Sequence, residues 1–567
     1  MGTPGIFLFG GVALLTFAAP FELTEPLVRL PRQSITSLEA AILVAFAAWG
    51  TVVVASRRLP QWQTPLTLPW LALIAAMIVA SVASPVSRVN ALHMTGRLTA
   101  ALGIYLLAVN GLTTRSRLAA ALRLAVAVGV VVGVLAILEY LGWPSVLTAL
   151  QAFRPGVATV GAQVRAGGPL QYPTIASMYL EIVFAFGLGV LLSEHDDDSR
   201  GRRALRVAGW FLALVIIGDA ITLTFTRAGL ITMTTSLLLV GAIRVARRGL
   251  DRGAWLVIAL AVAIATLFSF SRSRESMWLR FTTEGQEWWY RAEINAPPRL
   301  ELQNDHTLQI PISVTNTGRL PWDSAASPPI LMSYHWLPAG GDGFVAFEGG
   351  RTPFPSPIAP GATVALDVDV RAPARPGDYR LEWDLVQEGH LWFSTEPGAA
   401  RVMSRVAVLG DAAANARGGM LLPPPRPTVR PGRFTLWRAG VKMVAAHPLL
   451  GVGPDNFRLA YGAYAGLPGA DERTHSNNMY LEMFAGGGVV VGAAFLWLVW
   501  RAAVSFARLV REAAPRDQAV ALGIAAAGLA IALHAAVDSF LSFAPIYVLF
   551  SLTLGYAVAS GPGMEAD

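Results

Sequence analysis

Apolar stretches of about 16 to 24 residues recur along this chain, parted by short loops that carry arginine. A helix needs roughly 20 apolar residues to cross the hydrocarbon layer, and a spanning segment must satisfy its backbone internally. The pattern therefore restricts the fold to a polytopic α-helical membrane protein. Twelve spans are expected, at 5–20, 36–55, 67–84, 98–112, 120–141, 172–193, 207–222, 228–243, 254–271, 482–500, 518–537 and 542–560. Composition agrees, since 54% of the residues are hydrophobic and 14% charged, where soluble domains carry about a quarter charged. No Lys or Arg precedes Arg29, so the first stretch reads as a retained helix and lacks the basic start of a signal peptide.

Arginine sets the orientation, because Lys442 is the only lysine. The even-numbered connections hold about sixteen arginines, among them Arg115, Arg200, Arg244 and Arg501, against about six in the short loops of the other side (among them Arg29, Arg32, Arg88, Arg154, Arg165 and Arg227). The arginine-rich side is expected to be cytoplasmic. Both termini then lie inside, and the loops at 142–171, 223–227 and 272–481 lie outside.

The outer insert divides into unlike parts. Residues 272–296 mix Arg, Glu and Trp (Trp278, Trp288, Trp289), as suits a segment lying along headgroups. Residues 297–408 change period. Thr363-Val364-Ala365-Leu366-Asp367-Val368-Asp369-Val370 alternates strictly, and Pro and Gly punctuate similar runs, so an antiparallel, immunoglobulin-like β-sandwich is expected. Its Trp322, Trp336, Trp383 and Trp392 suit either a core or a sugar-stacking surface. Residues 409–432, with Pro423-Pro424-Pro425, form a linker. Residues 433–481 are an outer-face loop, and 482–567 hold the last three spans.

Several chemistries have no visible site. Cysteine is absent, which removes disulfides and thiolates. No phosphate-binding glycine loop or HExxH appears, and the histidines are scattered. No cofactor, metal or nucleic-acid partner is expected. Three outer-face clusters remain: Arg165-Ala166-Gly167-Gly168; Thr224-Phe225-Thr226-Arg227; and the run from Trp437-Arg438 through His447 to His475. Gly451 and Gly453 are expected to permit a tight backbone path, and His447, before Pro448, to shape the loop. His475 suits either helix capping or proton transfer, and Arg227 either headgroup anchoring or phosphate binding. Glu139, Glu181, Asp219, His534 and Asp538 fall inside spans, where ionisable groups face the protein interior or a cavity.

His447–Phe457, with Pro448-Leu449-Leu450-Gly451-Val452-Gly453, and Thr474-His475-Ser476-Asn477-Asn478-Met479-Tyr480-Leu481-Glu482, with Thr226-Arg227 upstream, resemble the signature of the O-antigen ligase / O-antigen polymerase superfamily. The resemblance runs over roughly 160–500, with the β-rich insert as an addition. It implies an integral glycosyltransferase of the bacterial cytoplasmic membrane. Such enzymes move a glycan from undecaprenyl diphosphate to a lipid, glycan or protein acceptor on the periplasmic face, without metal or cofactor. Carried over by position, it implies His475 as the base and Arg227 with Arg165 on the diphosphate, Arg438 as a further ligand. Asp219 suits either a buried polar pair that fixes helix packing or a group that orients Arg227 or lines the acceptor path. Two rival readings are a flippase for lipid-linked glycan and a non-catalytic glycan-binding partner.

Overall fold

The computed structural model describes residues 3–29, 34–57, 59–154, 156, 158–160, 163–196, 203–270, 289–326, 328–340, 343–388, 391–395, 399, 401–410, 431–467 and 471–560. Residues 272–288 of the expected headgroup segment, with Trp278 and Trp288, and most of the expected linker lie outside them; the rest of that segment belongs to the β-rich insert instead, with Trp289 buried in its core and 292–295 in a strand. Ten helices come first: α1 (Thr3–Ala18), α2 (Ser37–Ser56), α3 (Thr67–Val82), α4 (Arg88–Gly111), α5 (Arg115–Tyr140), α6 (Pro144–Leu150), α7 (Pro173–Asp196), α8 (Arg203–Leu223), α9 (Arg227–Arg248) and α10 (Arg252–Phe270). Five follow the β-rich insert: α11 (Arg433–Ala446), α12 (Phe457–Ala465), α13 (Met479–Glu512), α14 (Gln518–Ala535) and α15 (Ala544–Ala559).

Among the described residues, nine helices are long and apolar enough to cross a membrane. The chain is a multi-pass membrane protein. The count differs from the twelve expected because α1, α3 and α15 are 16-residue helices, about 24 Å long at 1.5 Å per residue. Caps move other starts outward from the apolar runs. Ser87 Oγ accepts from Asn90 N and starts α4 ten residues before the expected span, and Thr114 Oγ1 accepts from Arg117 N and starts α5 five residues before its own.

α7 is the central helix, buried throughout its apolar window. It packs closely on α14 through facing glycines: a Cβ at Gly523 would stand 2.8 Å from the Gly189 backbone. Small residues let membrane helices approach this way, where no hydrophobic force acts between helix and lipid. Glu181 of α7 accepts from His534 Nδ1 of α14 at 2.7 Å and from Thr232 of α9, tying three helices with paired polar groups.

Two short hairpins pair β1 (Val28–Arg29) with β2 (Ser34–Ile35) and β3 (Ala158–Val160) with β4 (Gln163–Arg165), and the insert holds two sheets. One pairs β5 (Ala292–Asn295), β7 (Thr307–Asn316) and β9 (Thr363–Arg371). The other orders β11 (Leu391–Trp392), β10 (Gly377–Gln387), β12 (Val402–Leu409) and β6 (Arg299–Gln303), with β8 (Ile330–Pro338) on β10. A single apolar cluster draws on both, from Ile310, Val314 and Val368 to Met332, Leu381 and Val406. Trp322, Trp336 and Trp383 are buried in it, so these three are core residues. Trp392 is half-buried, with the Arg351 guanidinium 4.7 Å from its ring centre. One pairing differs from the all-antiparallel expectation: β12 runs parallel to β6. Parallel neighbours need a long crossover, and here everything between the two strands is that crossover.

Candidate active site

The site begins with a broken helix. Gly488 (φ +64°) interrupts α13, leaving carbonyls without helical partners. The 448–453 turn supplies them: Val452 N donates to Ala485 O (3.0 Å) and Gly453 N to Gly486 O (2.7 Å), while Val489 N donates to Pro448 O (2.8 Å). In a membrane such backbone groups must be satisfied by protein. Only glycine fits on either side. A Cβ at Gly451 (φ +63°) would lie 2.5 Å from the Gly486 carbonyl, and one at Gly488 would lie 2.3 Å from that of Leu449. The tight path expected of Gly451 and Gly453 is this interlock.

The turn delivers Asp455 and Asn456 to the start of α4. Asn456 Nδ2 donates to Ser84 Oγ, Ser87 O and Val452 O at 2.9–3.0 Å. Asp455 Oδ2 accepts from Asn90 Nδ2 (3.1 Å) and Arg458 Nε (3.0 Å), leaving Oδ1 toward His475, 3.9 Å from Nδ1.

His475 lies just outside α13, whose N-cap is Asn478 (Oδ1 accepting from Leu481 N, 3.0 Å). The first helical turn carries Glu482, and its carboxylate organises the site. Oε1 accepts from His475 Nδ1 at 3.0 Å. Oε2 accepts from Ser476 N (2.9 Å), Ser476 Oγ (2.5 Å) and Ser539 Oγ (2.9 Å). A carboxylate on Nδ1 selects the Nδ1–H tautomer of the neutral ring and leaves the Nε2 lone pair for chemistry. The side chain is 13% exposed, with the Phe543 ring edge-on at 6.1 Å. Burial alone would lower the imidazole pKa, but the carboxylates of Glu482 and then Asp455 outweigh it and hold it above the ordinary histidine value. Asp455, His475 and Glu482 place three donor atoms within 4.8 Å of one another, so this set also has the composition of a cation ligand group.

The second element is cationic. Arg165 ends β4 (Gln163–Arg165), the partner of β3 (Ala158–Val160). Its Nε donates to Thr224 O (3.0 Å) and its Nη2 to Thr226 Oγ1 (3.4 Å), which brings it to the 224–227 turn. A buried carboxylate holds the loop behind it: Glu139 pairs with Arg154 and accepts from Gly167 N (2.9 Å) and Gly168 N (2.8 Å). Arg227 is the first residue of α9 and half-buried. Asp219 is half-buried in the last two turns of α8, before that turn.

Reading the sequence alone overlooks Arg433. It opens α11 within electrostatic reach of both Arg227 and Asp538, and Asp538 precedes the Ser539 that bonds Glu482. Arg438, expected as the ligand from this segment, is exposed on the side of α11 opposite the buried Leu436, Ala439, Gly440 and Met443. A cation at the first position opposes the helix dipole, and both Arg227 and Arg433 stand there. Arg88, Arg115, Arg203 and Arg252 open helices in the same way, so no sequence signal singled out Arg433.

Residues 412–496 match the O-antigen ligase family model. The match supports placing the chain in the O-antigen ligase superfamily, as an O-antigen ligase-type membrane glycosyltransferase. It takes in Arg433, Asp455, His475 and Glu482; Arg165 and Arg227 lie before it. No curated protein matches the chain.

Proposed function

We propose that this protein transfers a glycan from a polyprenyl (undecaprenyl) diphosphate donor to an acceptor hydroxyl on the periplasmic face of the bacterial cytoplasmic membrane, without a metal. The observation that carries the reading is an imidazole with Nδ1 bound to a carboxylate, joined through Ser539 and Asp538 to arginines that open two helices. His475 Nε2 accepts the proton of the acceptor hydroxyl as its oxygen attacks C1. The C1–O bond to the diphosphate breaks, the new glycosidic bond forms with inversion, and His475 later returns the proton to solvent. Arg227, Arg165 and Arg433 bind the diphosphate and stabilise the charge it gains, through planar forks that match phosphate oxygens and helix N-termini that favour anions. Glu482 positions His475 and fixes its tautomer. Asp219 lines the acceptor path, and Arg438 receives no phosphate role.

In this reading all twelve apolar segments cross or enter the bilayer, with both termini cytoplasmic. Residues 297–408 form a β-sandwich outside. The test is product formation by the purified protein in detergent with polyprenyl-diphosphate glycan, comparing wild type with His475→Ala and Arg227→Ala. Elongated lipid-linked glycan from wild type alone identifies a polymerase. Product that requires a separate lipid or protein acceptor identifies a ligase or oligosaccharyltransferase. Equal behaviour of all three proteins refutes the reading in favour of a flippase.

A further inference from the structure

α11 has two apolar faces. Leu436, Ala439, Gly440 and Met443 are buried and pack it against its neighbours. Phe434 (65% exposed), the half-buried Trp437 and Val441 (60% exposed) are spaced three and four residues apart and so share a second face that the described residues leave partly uncovered. The Phe434 and Trp437 rings meet edge to face, 5.6 Å between centres at 74°. The stripe has polarity along its length. Arg433, within electrostatic reach of Arg227, stands at its N-terminal end, while Arg438 and Lys442 border it. The eight residues from Phe434 to Val441 make a track about 10 Å long that starts next to Arg433.

We propose that this stripe is the subsite for the first isoprene units of the donor's prenyl chain, with the diphosphate at Arg433 and Arg227 and the chain running along Phe434, Trp437 and Val441. The assignment rests on the diphosphate reading of those arginines. A molecule with an anionic head and an apolar tail matches an apolar stripe that begins beside Arg433 and has further cations only along its border. Ordinary lipid packing explains the apolar face but not its start at an arginine held near a second arginine. Prenyl recognition here selects donors by chain length, since each apolar contact on the stripe exists only for a chain long enough to reach it.

The test uses the full chain in detergent and one glycan diphosphate on two carriers, a long polyprenyl and a short soluble prenyl. Wild type is expected to show a lower KM for the long carrier. In Phe434→Gln/Trp437→Gln the ratio of the two KM values falls by about tenfold to a hundredfold, whereas Phe434→Leu/Trp437→Leu keeps most of the preference. A ratio unchanged in the Gln variant overturns the proposal. Labelling by a photoreactive undecaprenyl diphosphate needs no turnover and separates this proposal from the transfer reading. Label on 433–446 that undecaprenyl diphosphate displaces and phosphatidylglycerol does not supports the subsite even where transfer is absent. Equal displacement by phosphatidylglycerol makes the stripe a general lipid surface and overturns it.

Discussion

Replacing Glu482 by glutamine changes one atom and is expected to cost most of the base catalysis. The carboxylate accepts one hydrogen bond on Oε1, from His475, and three on Oε2, from Ser476 N, Ser476 Oγ and Ser539 Oγ. An amide offers one acceptor and one donor side. Bonds to a charged acceptor are each worth about 1.5–3 kcal/mol, so three donors outweigh one, and the amide oxygen stays on the serine side. The amide NH₂ then faces His475, which must accept at Nδ1 and carry its proton on Nε2, the atom that should take the acceptor's proton. General-base catalysis contributes about 10²–10⁴-fold, or roughly 3–5 kcal/mol at 1.36 per tenfold, and that is the expected loss in kcat. Donor KM should change far less.

The pH profile gives a second signature. His475 has its pKa raised in the folded state, by carboxylates that outweigh its burial. The stabilisation from its charged form is therefore complete below the unfolded histidine value, about 6.5, and is lost as pH rises through the higher folded value. The base works only when neutral, so wild-type turnover should climb through that same raised value, and in Glu482→Gln the inflection should move to lower pH. The assay is initial rate of glycan transfer from pH 5 to 9. A variant with wild-type kcat and an unmoved inflection refutes the orienting role.

Arg433→Ala is expected to raise donor KM about tenfold to a hundredfold, the equivalent of one charge-assisted phosphate contact, while Arg438→Ala on the opposite face stays within about twofold; steady-state kinetics with varied donor check both. Gly488→Ala drives a Cβ to 2.3 Å from the Leu449 carbonyl at φ +64°, which should cost about 2–5 kcal/mol. It should show as a lower Tm in detergent, with Gly10→Ala, where nothing lies within 4 Å, as the neutral control. Chelation by EDTA should leave the transfer rate unchanged. A loss that divalent cation restores would make Asp455, His475 and Glu482 metal ligands.

Much of this was legible in the sequence, for local reasons. Apolar run length gave the membrane class and the approximate place of most helices, and Gly451 and Gly453 announced a close backbone approach. What escaped is non-local. Ser539 reaches Glu482 from 57 residues away, and no spacing rule joins them. Glu482 lies in the same short motif as His475, yet seven residues apart in sequence gives no contact until a helix start folds one over the other. The choice of Arg438 over Arg433 turned on helix phase, which required knowing which face of α11 is buried. The parallel pairing of β6 with β12 joins strands about a hundred residues apart, and alternation within a strand says nothing about the direction of its neighbour. The glycine break in α13 was hidden because Gly486-Gly487-Gly488 sits inside a continuous apolar run.

The most direct test of the central claim separates donor binding from transfer in His475→Ala. Donor affinity is measured with unreactive polyprenyl-diphosphate glycan, and a single turnover is followed with reactive donor and acceptor. Donor affinity close to wild type with transfer slowed by about 10²–10⁴-fold is the predicted result. Transfer at the wild-type rate, or a loss wholly accounted for by weaker donor binding, would contradict a base at His475.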